Sequence, residues 1–153
     1  MNRVVLPLLV SLAVLAAAPF AQASDASLKK ALKPYETRLT TDIGYLSNFS
    51  APSKSAAPAA LTKLSKIRSD LTGATKAATG QQASTSSGRK GRTQVLSALH
   101  DATVAAGDAQ ACATAARSGN KSTAKRDAKA EQGEINKAIP LFESGGKLLH
   151  LFS

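Results

Sequence analysis

Apolar residues recur at spacings of three and four along four stretches of this chain, and this period restricts it to helices. At 3.6 residues per turn, such residues form one stripe along a helix. Aromatic residues make up only 4% of the 153 residues, and Ala is abundant. This composition favours closely packed helices over a sheet with aromatic cross-strand pairs. We therefore expect an all-α protein.

The four predicted helices cover residues 26–49, 55–79, 93–117 and 122–144. The polar stretch 81–92 is expected to form a loop, and the apolar tail 147–152 to dock as a last helical turn on one end of the bundle. Four amphipathic helices with short or polar links predict an antiparallel (up-down) four-helix bundle. The alternative architecture is a helical hairpin pair that dimerises.

Two prolines and a pair of glycines interrupt these patterns. Pro34 lies off the apolar stripe and should kink the first helix or mark a restart. Pro140 should bend or end the fourth helix, and residues 144–146 (Ser-Gly-Gly) should form a turn.

The first 23 residues resemble a secretory signal peptide in their organisation. Arg3 precedes an apolar run over residues 4–18, which is shorter than the roughly 20 residues of a spanning helix. Small residues at Ala21 and Ala23 predict cleavage between Ala23 and Ser24. We expect a single helical-bundle domain over 24–153, secreted or held in the periplasm or cell envelope, with no transmembrane segment. The alternative is an uncleaved N-terminal anchor.

Motifs for catalysis, metal binding or cofactor binding are missing from the sequence. The single Cys excludes an intramolecular disulfide framework, a zinc finger and a Cys-ligated iron–sulfur cluster, and two His argue against a His-rich metal site. There is no Glu-x-x-His, no Gly-x-Ser-x-Gly and no phosphate-binding or dinucleotide fingerprint. His100 and Asp101 are adjacent, so on a helix they point about 100° apart and do not form a dyad. We expect no catalytic residue, no metal, no cofactor and no enzymatic activity, and we interpret Cys112 as a buried hydrophobic residue.

Three cations lie within four positions at the predicted start of the third helix. Arg89, Lys90 and Arg92 are interleaved with Gly88 and Gly91. Unpaired N–H groups at a helix start attract anions, and glycine lets the backbone approach one closely. This pattern suggests a phosphate or sulfate site, although a soluble linker in a basic protein would look the same.

Glu131 is the one charged residue on the apolar stripe of the fourth helix. We favour a partly exposed position, with its stem packed and its carboxylate in water or paired with a cation. The alternative is a carboxylate held inside the bundle for a ligand, with Tyr35 and His150 as its other polar contacts. Asp42, at the edge of the first stripe, receives the same interpretation.

The net positive charge of the chain suggests what kind of partner it contacts. Twenty Lys and Arg against ten Asp and Glu give a formal charge of +10, spread along the chain. We expect an exported basic interaction or structural protein that contacts an anionic polymer, a membrane surface or an acidic protein through diffuse charge. Aromatic residues are not interleaved with the cations, which argues against sequence-specific nucleic-acid recognition. The alternative function is a bundle that binds a small apolar ligand or cofactor between its helices. The simplest interpretation of the positive charge is that it only keeps the protein soluble.

Overall fold

The structure, a computed structural model, describes residues 17–151, with side chains from Asp25 onward. Its elements are α1 (Ala17–Leu32), a 3-10 turn (Lys33–Tyr35), α2 (Glu36–Ser47), α3 (Ala57–Thr79), α4 (Ser86–Arg117) and α5 (Lys121–Leu149). The described part of the chain contains no strand, which confirms the all-α prediction. Residues 1–16 of the predicted signal peptide lie outside the described residues.

Local residue choices account for the helix ends. The Pro34 ring places a 3-10 turn between α1 and α2, where an α-helical bond would be lost. Thr85 caps α4 by accepting a hydrogen bond from the Gly88 N–H at 2.8 Å. Asn120 caps α5 by accepting one from the Thr123 N–H at 3.1 Å. Such side-chain oxygens satisfy donors that a helix start leaves unpaired.

Helix α4 begins at Ser86 rather than at residue 93, so the prediction of a loop over 81–92 is wrong for its second half. The Thr85 cap supplies the start, and the buried Gly88 and Gly91 let other segments pack against the first turns. These small and polar residues carry no hydrophobic period, so only the packing partners reveal that they are helical.

Helix α5 continues past Pro140 to Leu149, so the predicted turn over residues 144–146 is also wrong. A Cβ on Gly145 would lie 2.9 Å from Val95 Cγ2 and 3.0 Å from the Gly91 oxygen. The glycines therefore mark a close crossing of α4 and α5 rather than a turn.

The C-terminal end of α5 is closed by a left-handed residue. His150 has φ 52°, and the Leu151 N–H donates to the Gly146 oxygen at 2.8 Å. This hydrogen-bond pattern is the Schellman motif, which satisfies carbonyls that a helix end leaves unpaired. Leu151 is buried and belongs to the main apolar cluster of the bundle.

The core is formed chiefly by aliphatic residues of α2 and α3 and by the alanines of α4. Its fully buried large side chains include Leu39, Leu46, Leu64, Ile67, Leu71, Leu99 and Ile135. Helix α4 packs more extensively against α5 than against any other element, since small side chains allow the helix axes to approach closely. Among the described residues, no helix combines the length and apolar character that crossing a membrane requires.

Candidate functional site

Cationic and anionic side chains separate between the surface and the interior. The Lys and Arg side chains of residues 25–151 are exposed, except the half-buried Lys29, Lys63 and Arg92. Among the carboxylates only Glu143 is exposed, and four are buried: Asp42, Asp70, Asp127 and Glu131. The exposed surface therefore carries many more cationic than anionic side chains.

A few ion pairs neutralise part of this surface. Arg38 and Lys66 both reach Asp70, at 3.3 and 2.9 Å. The other pairs are Lys33–Glu36, Arg126–Asp127 and Lys137–Glu134. Within the described part of the chain, several exposed cations form no ion pair, and they include Arg68, Lys76, Arg117, Lys121, Lys125 and Lys129.

The N-terminal end of α4 already has an anion, the chain's own Asp25. Its Oδ1 accepts a hydrogen bond from the Ser84 N–H at 2.9 Å, and its Oδ2 accepts one from the Thr85 hydroxyl. A Cβ on Gly88 would clash with the same carboxylate. Burial raises the pKa of Asp25, but the hydrogen bonds from Thr85 and Ser84 outweigh it and hold the pKa below its usual value.

The three cations predicted to bind an anion have different roles at this end of the bundle. The Arg92 Nε donates to the Ala78 oxygen at 3.1 Å, at the C-terminal end of α3. Arg89 donates to the Ser84 oxygen, whereas Lys90 is exposed. Two of the three thus have backbone partners within the chain, and their binding of an external anion stays a prediction.

Glu131 lies fully inside the bundle, so the expectation of a partly exposed position is wrong. Its relative exposure is 0%, and neither carboxylate oxygen has a hydrogen-bond partner. Burial, with a smaller contribution from the charge of Asp108 on α4, raises the pKa of Glu131 to about 7. Asp42 is likewise buried, at 2% exposure, with an unpartnered Oδ2.

Cys112 on α4 shares this interior. It is fully buried, and burial together with the charges of Asp127 and Glu131 raises the pKa of its thiol. A raised pKa keeps the thiol protonated and unreactive. Among the described residues, no group of three His, Cys, Asp or Glu is arranged to hold a metal ion.

The structure does not bring Tyr35, Glu131 and His150 together around one cavity. Tyr35 packs against Gly73 of α3, Glu131 is enclosed in the core, and His150 is exposed at the end of α5. An apolar groove of about 200 Å³ is lined by Leu39, Thr40, Ile43, Ile139, Phe142 and Glu143. It includes none of the three residues and is smaller than the few hundred Å³ typical of ligand sites.

A larger polar groove, of about 550 Å³, lies between α3 and α4. We call it the α3–α4 groove, and it is lined by Ser65, Arg68, Ser69, Thr72, Gly73, Lys76 and Gln110. The α3 members repeat at three and four residues, as a buried stripe would, but they are polar. Sequence analysis overlooked this groove, although the spacing of these polar residues was a readable signal.

No family model, curated protein or solved structure matches this chain.

Proposed function

We propose that this chain is an exported, non-enzymatic protein that contacts an anionic polymer of the cell envelope or extracellular space through its cationic helical surface. One observation carries the proposal, namely the separation of charge between surface and core. Asp42 and Glu131 are buried and pair with no surface cation, and several exposed Lys and Arg form no ion pair, so a polyanion meets positive charge that the carboxylates of the chain do not neutralise. Such contacts gain free energy by releasing the counterions of the polymer.

A polymer fits this surface better than a membrane does. Among the described residues, Val104 is the only large hydrophobic side chain that is exposed, at 39%. Membrane-bound helices insert an apolar face into the headgroup region as well as presenting cations. The apolar faces of α2–α5 are instead occupied by the core.

The proposal includes an up-down arrangement of the helices. At one end of α4, Gly91 lies against Gly145 near the end of α5. At the other end, Ala116 belongs to the same apolar cluster as Ala124 near the start of α5. Hydrogen bonds also join Arg92 near the start of α4 to Ala78 at the end of α3, and Gln110 later in α4 to Arg68 earlier in α3. These pairings support opposite directions for α3 and α4 and for α4 and α5.

Export follows from the apolar N-terminal segment and the small residues before Ser24. N-terminal sequencing of the protein from the envelope or extracellular fraction should return Ser24 as the first residue. An intact Met1 in that fraction would contradict cleavage at this site.

Charge-driven contact predicts how the native protein fractionates. It should sediment with the envelope at low salt and be released by about 1 M NaCl without detergent, since the Debye length there is only about 3 Å. The purified mature chain should bind dextran sulfate but not uncharged dextran, and salt should weaken that binding. Release that requires detergent, or equal retention on uncharged dextran, would refute the proposal.

A further inference from the structure

We propose that the α3–α4 groove seats a phosphate or sulfate group carried on an anionic polymer. This inference rests on the proposed function and gives the otherwise diffuse contact a definite place. The groove offers a geometry that the other exposed cations lack.

The lining of the groove is suited to an oxyanion. It combines two cations, Arg68 and Lys76, with three hydroxyl side chains, one carboxamide and one glycine, and no carboxylate. The Thr72 hydroxyl donates to the Arg68 backbone oxygen at 2.8 Å, so the donors available to an oxyanion are the Ser65 and Ser69 hydroxyls, the Gln110 amide and the two cations. Asp70, the acidic residue nearest in sequence, is held by Arg38 and Lys66 and does not line the groove.

Arg68 is oriented by contacts within the groove. Its Nη1 donates to Gln110 Oε1 at 2.7 Å, and Gln110 Nε2 donates to Ser65 Oγ at 3.2 Å. A guanidinium has five N–H donors, so the Nε and Nη2 edge remains available to bind an oxyanion with two parallel hydrogen bonds. Preorganisation of this kind reduces the side-chain entropy lost on binding.

Lys76 adds a second cation to the groove. It follows Arg68 by eight residues, which is about 12 Å along a helix. Successive charged groups of a polymer can contact both cations along this length, which favours a ligand that carries more than one charge. The volume of about 550 Å³ accommodates a short segment of such a chain.

Helix α5 provides a matched comparison for the groove. Lys121, Lys125 and Lys129 repeat at four residues and are exposed, and no cavity described here includes them. If only net charge matters, removing two of these lysines should weaken binding as much as removing the two groove cations.

The test compares two double variants of the mature chain, Arg68→Gln with Lys76→Gln and Lys121→Gln with Lys125→Gln. Both lose two positive charges and retain good helix formers. Binding of linear polyphosphate is measured over a salt series. We expect about a tenfold loss of affinity for the groove variant, because charge-assisted hydrogen bonds are lost. The α5 variant should lose about two- to threefold, as exposed charges do.

Further arms separate the sources of the anion. Dextran sulfate tests sulfate in place of phosphate, and inorganic phosphate tests the free ion. The side-chain amide resonances of Gln110 should shift on titration with either polymer, and circular dichroism confirms that each variant is folded.

Each outcome decides a different claim. Equal losses for the two variants, or an unmoved Gln110 amide, would overturn the groove assignment and leave the proposed function standing. Inorganic phosphate binding as tightly as the polymer, per phosphate, would overturn the polymer part of the inference. Failure of the parent protein to bind either polymer would refute the proposed function itself.

Discussion

Replacing Glu131 by Gln should remove a loss of stability that the parent protein suffers as the pH rises, so that the variant gains in stability relative to the parent from acid to alkaline pH. The carboxylate is fully buried, neither of its oxygens has a hydrogen-bond partner, and Asp108 adds a like charge nearby. The folded protein therefore favours the neutral acid. Gln has nearly the same shape and cannot ionise.

The pKa gives the sign and size of this effect. In the folded state it is raised from an ordinary 4.5 to about 7, so folding favours the protonated form. The stability of the parent protein is then full below pH 4.5 and falls as the pH rises toward 7. The total loss is about 3 kcal/mol, since a tenfold change in an equilibrium corresponds to about 1.4 kcal/mol. The Glu131→Gln variant has no ionisable group at this position, so it does not lose this stability.

Urea unfolding followed by circular dichroism at a series of pH values measures the difference. The stability of the Glu131→Gln variant minus that of the parent should grow by about 3 kcal/mol between pH 4.5 and 8. Any fixed effect of burying an unpaired amide cancels in this comparison. Glu143→Gln, which changes the exposed carboxylate of the same helix, should show almost no such growth. Parallel pH profiles for parent and Glu131→Gln would refute a buried, ionisable Glu131.

Two further predictions concern helix packing and the end of α4. Gly107→Ala, where a Cβ meets open space, should stabilise the protein by up to about 1 kcal/mol through helix propensity. The Gly145→Ala protein should be about 1–3 kcal/mol less stable than the Gly107→Ala protein, because its methyl group would clash with α4. Equal melting temperatures for the two variants would contradict the close crossing of α4 and α5. Asp25→Ala should lower the unfolding free energy by about 1–2 kcal/mol at neutral pH, through loss of the hydrogen bonds from Ser84 and Thr85. Because the pKa of Asp25 is lowered from 3.8, the stability difference between the parent and Asp25→Ala should be full above pH 4 and shrink on further acidification. A difference that stays constant over this pH range in urea titrations would contradict a stabilising ionised Asp25.

Local pattern was sufficient for most helices. The apolar stripe of α3, with Leu64, Ile67 and Leu71, predicts both the helix and the face it buries, since the helical period alone decides which side chains share a face. The all-α class follows from the same reasoning.

Segments built from small residues required the tertiary structure. Residues 86–92 and 144–146 are helical, although their sequence predicts a loop and a turn there. Gly91 and Gly145 contribute no apolar surface of their own, and in isolation they weaken a helix. Their helical state depends on the close contact between α4 and α5, which only the assembled bundle provides.

The sequence by itself determined the helical class, the net charge and the missing catalytic motifs, because each depends on residue type and spacing alone. Tertiary structure decided where the charge lies. It placed the carboxylates of Asp42 and Glu131 inside and brought Gln110 of α4 to Arg68 of α3. Burial and contact between helices depend on how the helix faces meet, which the period of a single helix does not specify.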